Sequence, residues 1–139
     1  MSNLFKIFDV SGSALSAQSV RLNTTASNMA NAQVASSTPE GAYRAKHPVF
    51  ATVLHAAGQN NSTSPVHVAG VLESQAPPRA EYAPNHPLAD EQGYVYMPNV
   101  SVVEEMANMI SASRSYQNNV EVMNTTKQLL LRTLQLGQQ

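Results

Sequence analysis

The chain has 139 residues, a formal net charge of −1, 12% charged residues and no cysteine. That is room for one domain, or for a small domain with two arms. The absence of a basic stripe argues against nucleic acid as a partner, and the lack of cysteine excludes disulfides, thiolate metal sites and cysteine nucleophiles.

All eight prolines lie between Pro39 and Pro98, and helical periodicity fills both flanks. The expected class is mainly α with a small β-rich insertion. Long N- and C-terminal helices pair as an assembly-dependent coiled coil around a β/loop middle domain. The expected divisions are an N-terminal helical arm at 1–35, a small Pro-containing β-rich middle at 36–98, and a long C-terminal helix at 99–139.

The first ten residues, MSNLFKIFDV, interrupt their apolar side chains with Lys6 and Asp9. A cleavable secretory signal needs a basic start, an apolar core and a small-residue cleavage site. Export, if it occurs, is expected without one. No stretch reaches the roughly 18 apolar residues of a membrane span.

Phe8, Leu15, Leu22 and Met29 recur every seven residues, and Leu4, Val10, Ala14, Ala17, Ala26 and Ala32 widen the stripe. Seven-residue spacing holds side chains near one helix face. It predicts a helix over about residues 4–33, about 45 Å long at 1.5 Å per residue. Gly12 weakens it by about 1 kcal/mol relative to alanine. Twelve of the 23 residues from 11 to 33 are Ser, Thr, Asn or Gln, with Arg21 the one charge among them. Such a helix is marginal alone in water, and its small side chains permit close packing on several sides.

In the middle, 49–54 (VFATVL) and 66–72 (VHVAGVL) are strand candidates separated by the turn-rich 58–65 (GQNNSTSP). Residues 81–83 and 94–96 are shorter candidates. Pro77, Pro78, Pro84 and Pro87 confine that region to edges and loops.

The C-terminal arm carries the stronger pattern. Val102, Met109, Tyr116, Met123 and Leu130 are spaced by seven, and so are Met106, Ser113, Val120, Lys127 and Leu134. Together they predict a heptad seam over 101–136, broadened by Val103, Ile110 and Leu131. Residues 101–104 (SVVE) fit a capping box, Glu104, Glu105 and Arg132 suit the helix dipole, and Gly137 is a stop signal. At about 54 Å, this helix needs the N-terminal arm, other subunits or both to cover its seam.

No catalytic constellation stands out. His47, His55, His67 and His86 are spaced by eight, twelve and nineteen, which matches no common metal signature. There is no Gly-x-Ser-x-Gly elbow, and the six glycines are scattered rather than gathered into a phosphate loop. Glu104 and Glu105 are helix-start residues rather than paired acids, since helical neighbours point about 100° apart. No cofactor, metal or small-molecule substrate is expected.

Residues 22–33, LNTTASNMANAQ, resemble the N-terminal signature of the rod and hook axial proteins of the bacterial flagellum. Further segments are similar to the proximal rod branch of that family: SALSAQ at 13–18, YRAK at 43–46, ESQAP at 73–77, PLAD at 87–90, Gly93-Tyr94, MPNV at 97–100, SASRSYQ at 111–117, NVEV at 119–122 and LQLG at 134–137. The resemblance implies a structural subunit of the basal-body rod, which crosses the periplasm and transmits torque. It implies terminal helices packed as an inner tube and export through the flagellar type III apparatus. The implied partners are other proximal and distal rod proteins, the basal ring adaptor and copies of the chain itself. The assembly role falls on Phe8, Leu15, Leu22, Asn28, Met29 and Asn31, and on the seam residues Val102, Met106, Met109, Tyr116, Val120, Met123, Leu130 and Leu134. Rival readings are a self-contained coiled-coil adaptor, an axial subunit of a related type III secretion structure, and a small enzyme using the middle histidines.

Overall fold

A computed structural model describes residues 2–52 and 64–137, with side chains from Phe5 onward. The side chain of Leu4, the end of the first strand candidate at Val53 and Leu54, His55 and the turn at 58–63 lie outside the described residues. The elements in order are α1 (Ser2–Asn31), β1 (Lys46–Thr52), β2 (Val66–Glu73), β3 (Arg79–Tyr82), β4 (Tyr94–Met97) and α2 (Val102–Leu136). Two long terminal helices thus enclose a small β insertion of two antiparallel hairpins, β1–β2 and β3–β4, as the proline distribution predicts.

The helices run antiparallel. Ala32, at the end of α1, packs with Val100 and Val102 at the start of α2, and farther along Arg21 Nη2 donates to Asn108 Oδ1 at 3.1 Å. Ser101 caps α2 by accepting the Glu104 N–H, with Glu104 and Glu105 in the first turn. The expected end signals behave differently. Gly137 closes α2 in a right-handed conformation, φ −81°, with its N–H still bonded to Thr133 O, so no left-handed cap forms. The last turn carries no basic residue, and Arg132 lies just before it.

β1 starts earlier than the apolar run suggested and contains Pro48. Ser74 N–H donates to Ala45 O, and the register continues as Lys46↔Glu73, His47↔Leu72 and Pro48↔Val71. Antiparallel alternation then turns the N positions of Lys46 and Pro48 away from β2. Pro48 therefore removes an edge donor and not a ladder bond. Between Val49 and Phe50 the register slips, because β2 carries one extra residue, Ala69, before Gly70. Such a bulge twists a two-stranded ribbon.

The second hairpin is tied to the helical part by a bridge in which Ser36 and Tyr96 exchange both backbone hydrogen bonds at 2.9 Å. Its connecting loop is organised by Asp90. Asp90 Oδ1 accepts the N–H groups of Tyr94 at 2.8 Å and Gln92 at 2.9 Å, and Oδ2 accepts the Tyr96 hydroxyl at 3.0 Å. The turn closes at Gly93, φ +86°, where a Cβ would meet Tyr82 Cε2 at 2.9 Å and Pro84 Cβ at 3.2 Å.

Little of the chain is enclosed. Among the described residues the buried apolar core is Ala17, Ala32, Ala42, Ala45, Val95, Val100 and Ala112, all alanine or valine. The accessible surface is 9555 Å², against about 7000 Å² for a compact monomer of this mass.

Two expectations follow. Gly93→Ala places a side chain in left-handed backbone against an aromatic ring. It should destabilise the β3–β4 hairpin by about 1–2 kcal/mol, read as faster amide exchange at 79–82 and 94–97. The Tyr94 N–H, foremost among several donors, holds the Asp90 carboxyl below its ordinary value of 3.8. A lowered folded-state pKa gives stabilisation that is complete above the unfolded value and lost as pH falls through the folded one. The tyrosine near-ultraviolet signal of this hairpin should therefore hold down to that ordinary value and fade below it, and Asp90→Asn should remove the step.

Candidate assembly surface

The face that α2 turns to α1 mixes short and long side chains. Glu105, Ala112 and Thr126 are its buried residues, and Val102, Met109, Asn119, Met123 and Leu130 are half-buried. Two interleaved seven-residue series result: 102, 109, 116, 123 and 130, joined by 105, 112, 119 and 126. The first is the expected one. The second replaces the expected 106, 113, 120, 127 and 134 series, a shift of one residue and so about 100° around the helix.

The physical reason lies on α1. Its buried positions are Ser11, Ala17, Thr24, Thr25, Asn28 and Ala32, short side chains that let Ala112 and Thr126 approach closely, while Met109, Met123 and Leu130 stay half-buried. The polar atoms in this seam are satisfied locally. Thr24 Oγ1 bonds to Val20 O and Arg21 O, Thr126 Oγ1 to Val122 O at 2.7 Å, and Asn119 Nδ2 to Ser115 O at 2.8 Å. These groups bond back to their own helix. Among the described residues, Gln18 Oε1 is a buried oxygen with no hydrogen-bond partner, a cost of about 1–3 kcal/mol.

The displaced large side chains point outward. Val103 (78% exposed), Met106 (51%), Ile110 (57%), Val120 (36%), Leu131 (50%) and Leu134 (47%) form a stripe along the outer face of α2, with Tyr116 (38%) at its border. From residue 127 to 137 every position but Leu130 is exposed. On α1, Phe8, Leu15, Leu22 and Met29 are each half-buried, while Ser16, Ser19, Asn23, Ala26 and Ala30 leave a free face of small groups. Among the described residues no three His, Asp or Glu side chains gather at metal-binding distance, and no helix is long and apolar enough to cross a membrane.

Asn28 and Asn31 stand apart from this surface. Asn31 is partly exposed and donates to Ser27 O at 2.8 Å. Asn28 is 1% exposed, so it presents nothing to a neighbour. Its Nδ2 donates to Lys46 O at 2.9 Å; its Oδ1 accepts the Lys46 N–H at 2.8 Å and the Tyr43 hydroxyl at 2.9 Å. Burial first, then the Glu105 and Glu73 carboxylates, push the Tyr43 phenol up, which keeps it a donor. The spacing of asparagines in residues 28–31 marks a motif, but only the position of Lys46 reveals what Asn28 binds.

The seam register is testable. Ala112, 0% exposed, has no room to grow, so Ala112→Leu should cost about 1–3 kcal/mol by overpacking in thermal unfolding. Ile110→Ala, two residues away on the outer face, should stay within about 0.5 kcal/mol.

Comparison with known proteins agrees with these features. Two family models match: residues 8–35 fit one described as flagella basal body rod protein, and residues 91–136 fit one described as the C-terminal part of flagellar basal body rod FlgEFG proteins. The chain is 56% identical over 136 residues to the flagellar basal-body rod protein FlgC of Yersinia enterocolitica, covering 98% of this chain and 99% of the relative. It is 57% identical over 135 residues to FlgC of Salmonella typhimurium, covering 97% and 98%. FlgC of Buchnera aphidicola from Acyrthosiphon pisum is 36% identical over 138 residues, covering 98% and 99%. Similarity of this degree over nearly the full length places the chain in the FlgC family of flagellar basal-body rod proteins.

Proposed function

We propose that the chain is a non-enzymatic structural subunit of the bacterial flagellar basal-body rod, built into the shaft through its two terminal helices. The single observation that carries this reading is the outer stripe of α2: Val103, Met106, Ile110, Val120, Leu131 and Leu134 face solvent while alanine and threonine fill the inside. A monomer rarely exposes this many large apolar side chains on one helix face, although Ser113, Gln117, Asn124 and Lys127 interrupt the stripe. The roughly 2500 Å² by which its surface exceeds that of a compact monomer is ample for a stable interface of about 1600 Å².

The division of labour has three parts. The 1–35 and 99–139 arms form the shaft wall, and the 36–98 middle, held against α1, meets neighbouring subunits from outside. Phe8, Leu15, Leu22 and Met29 on α1 and the outward residues of α2 supply the contacts. Val102, Met109, Met123 and Leu130 keep the helix pair together, and Asn28 acts indirectly by placing the middle. Partners are copies of the same chain, other proximal and distal rod proteins and the basal ring adaptor. The subunit reaches the periplasm-spanning rod through the flagellar type III export apparatus, without a cleaved signal. Interlocked helices resist shear because every side-chain contact in a close-packed wall must be lost together, and that resistance is what a torque-transmitting shaft requires.

The adaptor reading, in which the two helices form a complete coiled coil alone, is disfavoured by the outward direction of the apolar series. The test uses Leu134→Asp in cells that lack their own copy. Leu134 is 47% exposed, so the substitution should change monomer stability by less than about 0.5 kcal/mol. Its expected phenotype is normal export with no rod and no motility. Loss of secretion, or assembly at the wild-type level, would contradict the assigned role.

A further inference from the structure

We infer that the β1–β2 hairpin docks only on a helical α1, and that the two are coupled through Asn28 and Ser13. The hairpin is held to α1 at both ends. At one end the Asn28 carboxamide takes both the N–H and the C=O of Lys46. At the other, Ser13 Oγ accepts the Val66 N–H at 3.1 Å while donating to Val10 O at 2.7 Å. Lys46 opens β1, and Val66 pairs with Thr52 at its far end, so the two clamps grip opposite ends of one ladder.

Their spacing acts as a ruler. Fifteen residues of α-helix separate Ser13 from Asn28 by about 22 Å, and six strand steps from Lys46 to Thr52 span about 20 Å. The same fifteen residues extended would span about 50 Å. Both clamps close together only when α1 is helical from 13 to 28. The acceptor in the Ser13 clamp is itself set by the helix, because the Ser13 hydroxyl reaches Val10 O only across a helical turn.

Neither partner is secure alone. A two-stranded ribbon is marginal in water, and this one leaves Val49, Val71 and Leu72 exposed. The 13–28 stretch of α1 is rich in Ser, Thr and Asn, middling helix formers. Each therefore supplies what the other lacks, and by linkage whatever fixes α1 also fixes the middle. The coupling stands on the intrachain geometry and does not depend on the rod assignment.

Hydrogen exchange by mass spectrometry on the dilute full-length chain tests it, with sedimentation confirming a monomer. In the wild type, protection at 13–31 and at 46–52 with 66–73 should rise and fall together as urea is titrated below the unfolding midpoint. Asn28→Ala, and the isosteric Asn28→Asp that cannot donate to Lys46 O, should each speed exchange at 46–52 by about tenfold or more. Ser13→Ala raises intrinsic helicity yet should open only 66–68, leaving 46–48 protected. It decides the matter if the Asn28 variants fail to fold. A hairpin protected while α1 exchanges freely in the wild type would overturn the coupling, as would unchanged hairpin protection in Asn28→Ala, or unchanged 66–68 protection in Ser13→Ala. None of these outcomes bears on whether the chain enters a rod, which the Leu134→Asp phenotype reads separately.

Discussion

The carboxamide of Asn28 does for β1 what a neighbouring strand would do: it pairs with both backbone polar groups of Lys46. Those groups lie on the edge of a two-stranded sheet, where no strand pairs them. The orientation of the amide is forced, because a flipped side chain would set donor against donor and acceptor against acceptor. Through this contact the start of the β insertion takes its position from one point on α1. Tyr43, Lys46 and Glu73 are then arranged around that point, with Lys46 Nζ 4.0 Å from Glu73 Oε1 and above the Tyr43 ring.

α1 is consequently the organising element. It meets α2 on one side and both strands of the first hairpin on another, and its fully buried positions are Ser, Ala, Thr and Asn. A helix surrounded in this way needs small residues on several faces, which is why its composition lacks the Glu and Lys pairs of a solvated helix. The consequence is weak intrinsic stability. Close packing with few large apolar groups recovers little transfer free energy, roughly 0.8 kcal/mol per buried methylene, and the enclosed residues are mainly alanines.

The large apolar residues are held in reserve on the outside of α2. The same heptad logic that suggests a seam generates two candidate seams here, rotated by one residue. The intrachain pair takes the one lined by Glu105, Ala112, Asn119 and Thr126, leaving Met106, Val120 and Leu134 exposed. On the proposed assembly this arrangement separates two tasks. Internal packing orders the subunit, and the exposed apolar residues make the contacts between subunits.

Residue order alone was enough for the two helices, the Ser101 cap of α2 and the four strands. Each of these depends on local periodicity, proline placement or composition. Family membership was also legible, because its motifs are contiguous. Three features required the tertiary structure. Which half of the α2 pattern faces α1 depends on the side-chain sizes of a partner helix roughly ninety residues away. Asn28 looked like a surface residue of a helix because its ligand, the Lys46 backbone, is invisible in any pattern of side chains. The strand expected from Val49 onward begins at Lys46, because the register turns the Pro48 nitrogen to the edge. In each case the deciding quantity is a distance or a facing direction between segments far apart in the chain, and periodicity within one segment carries no such information.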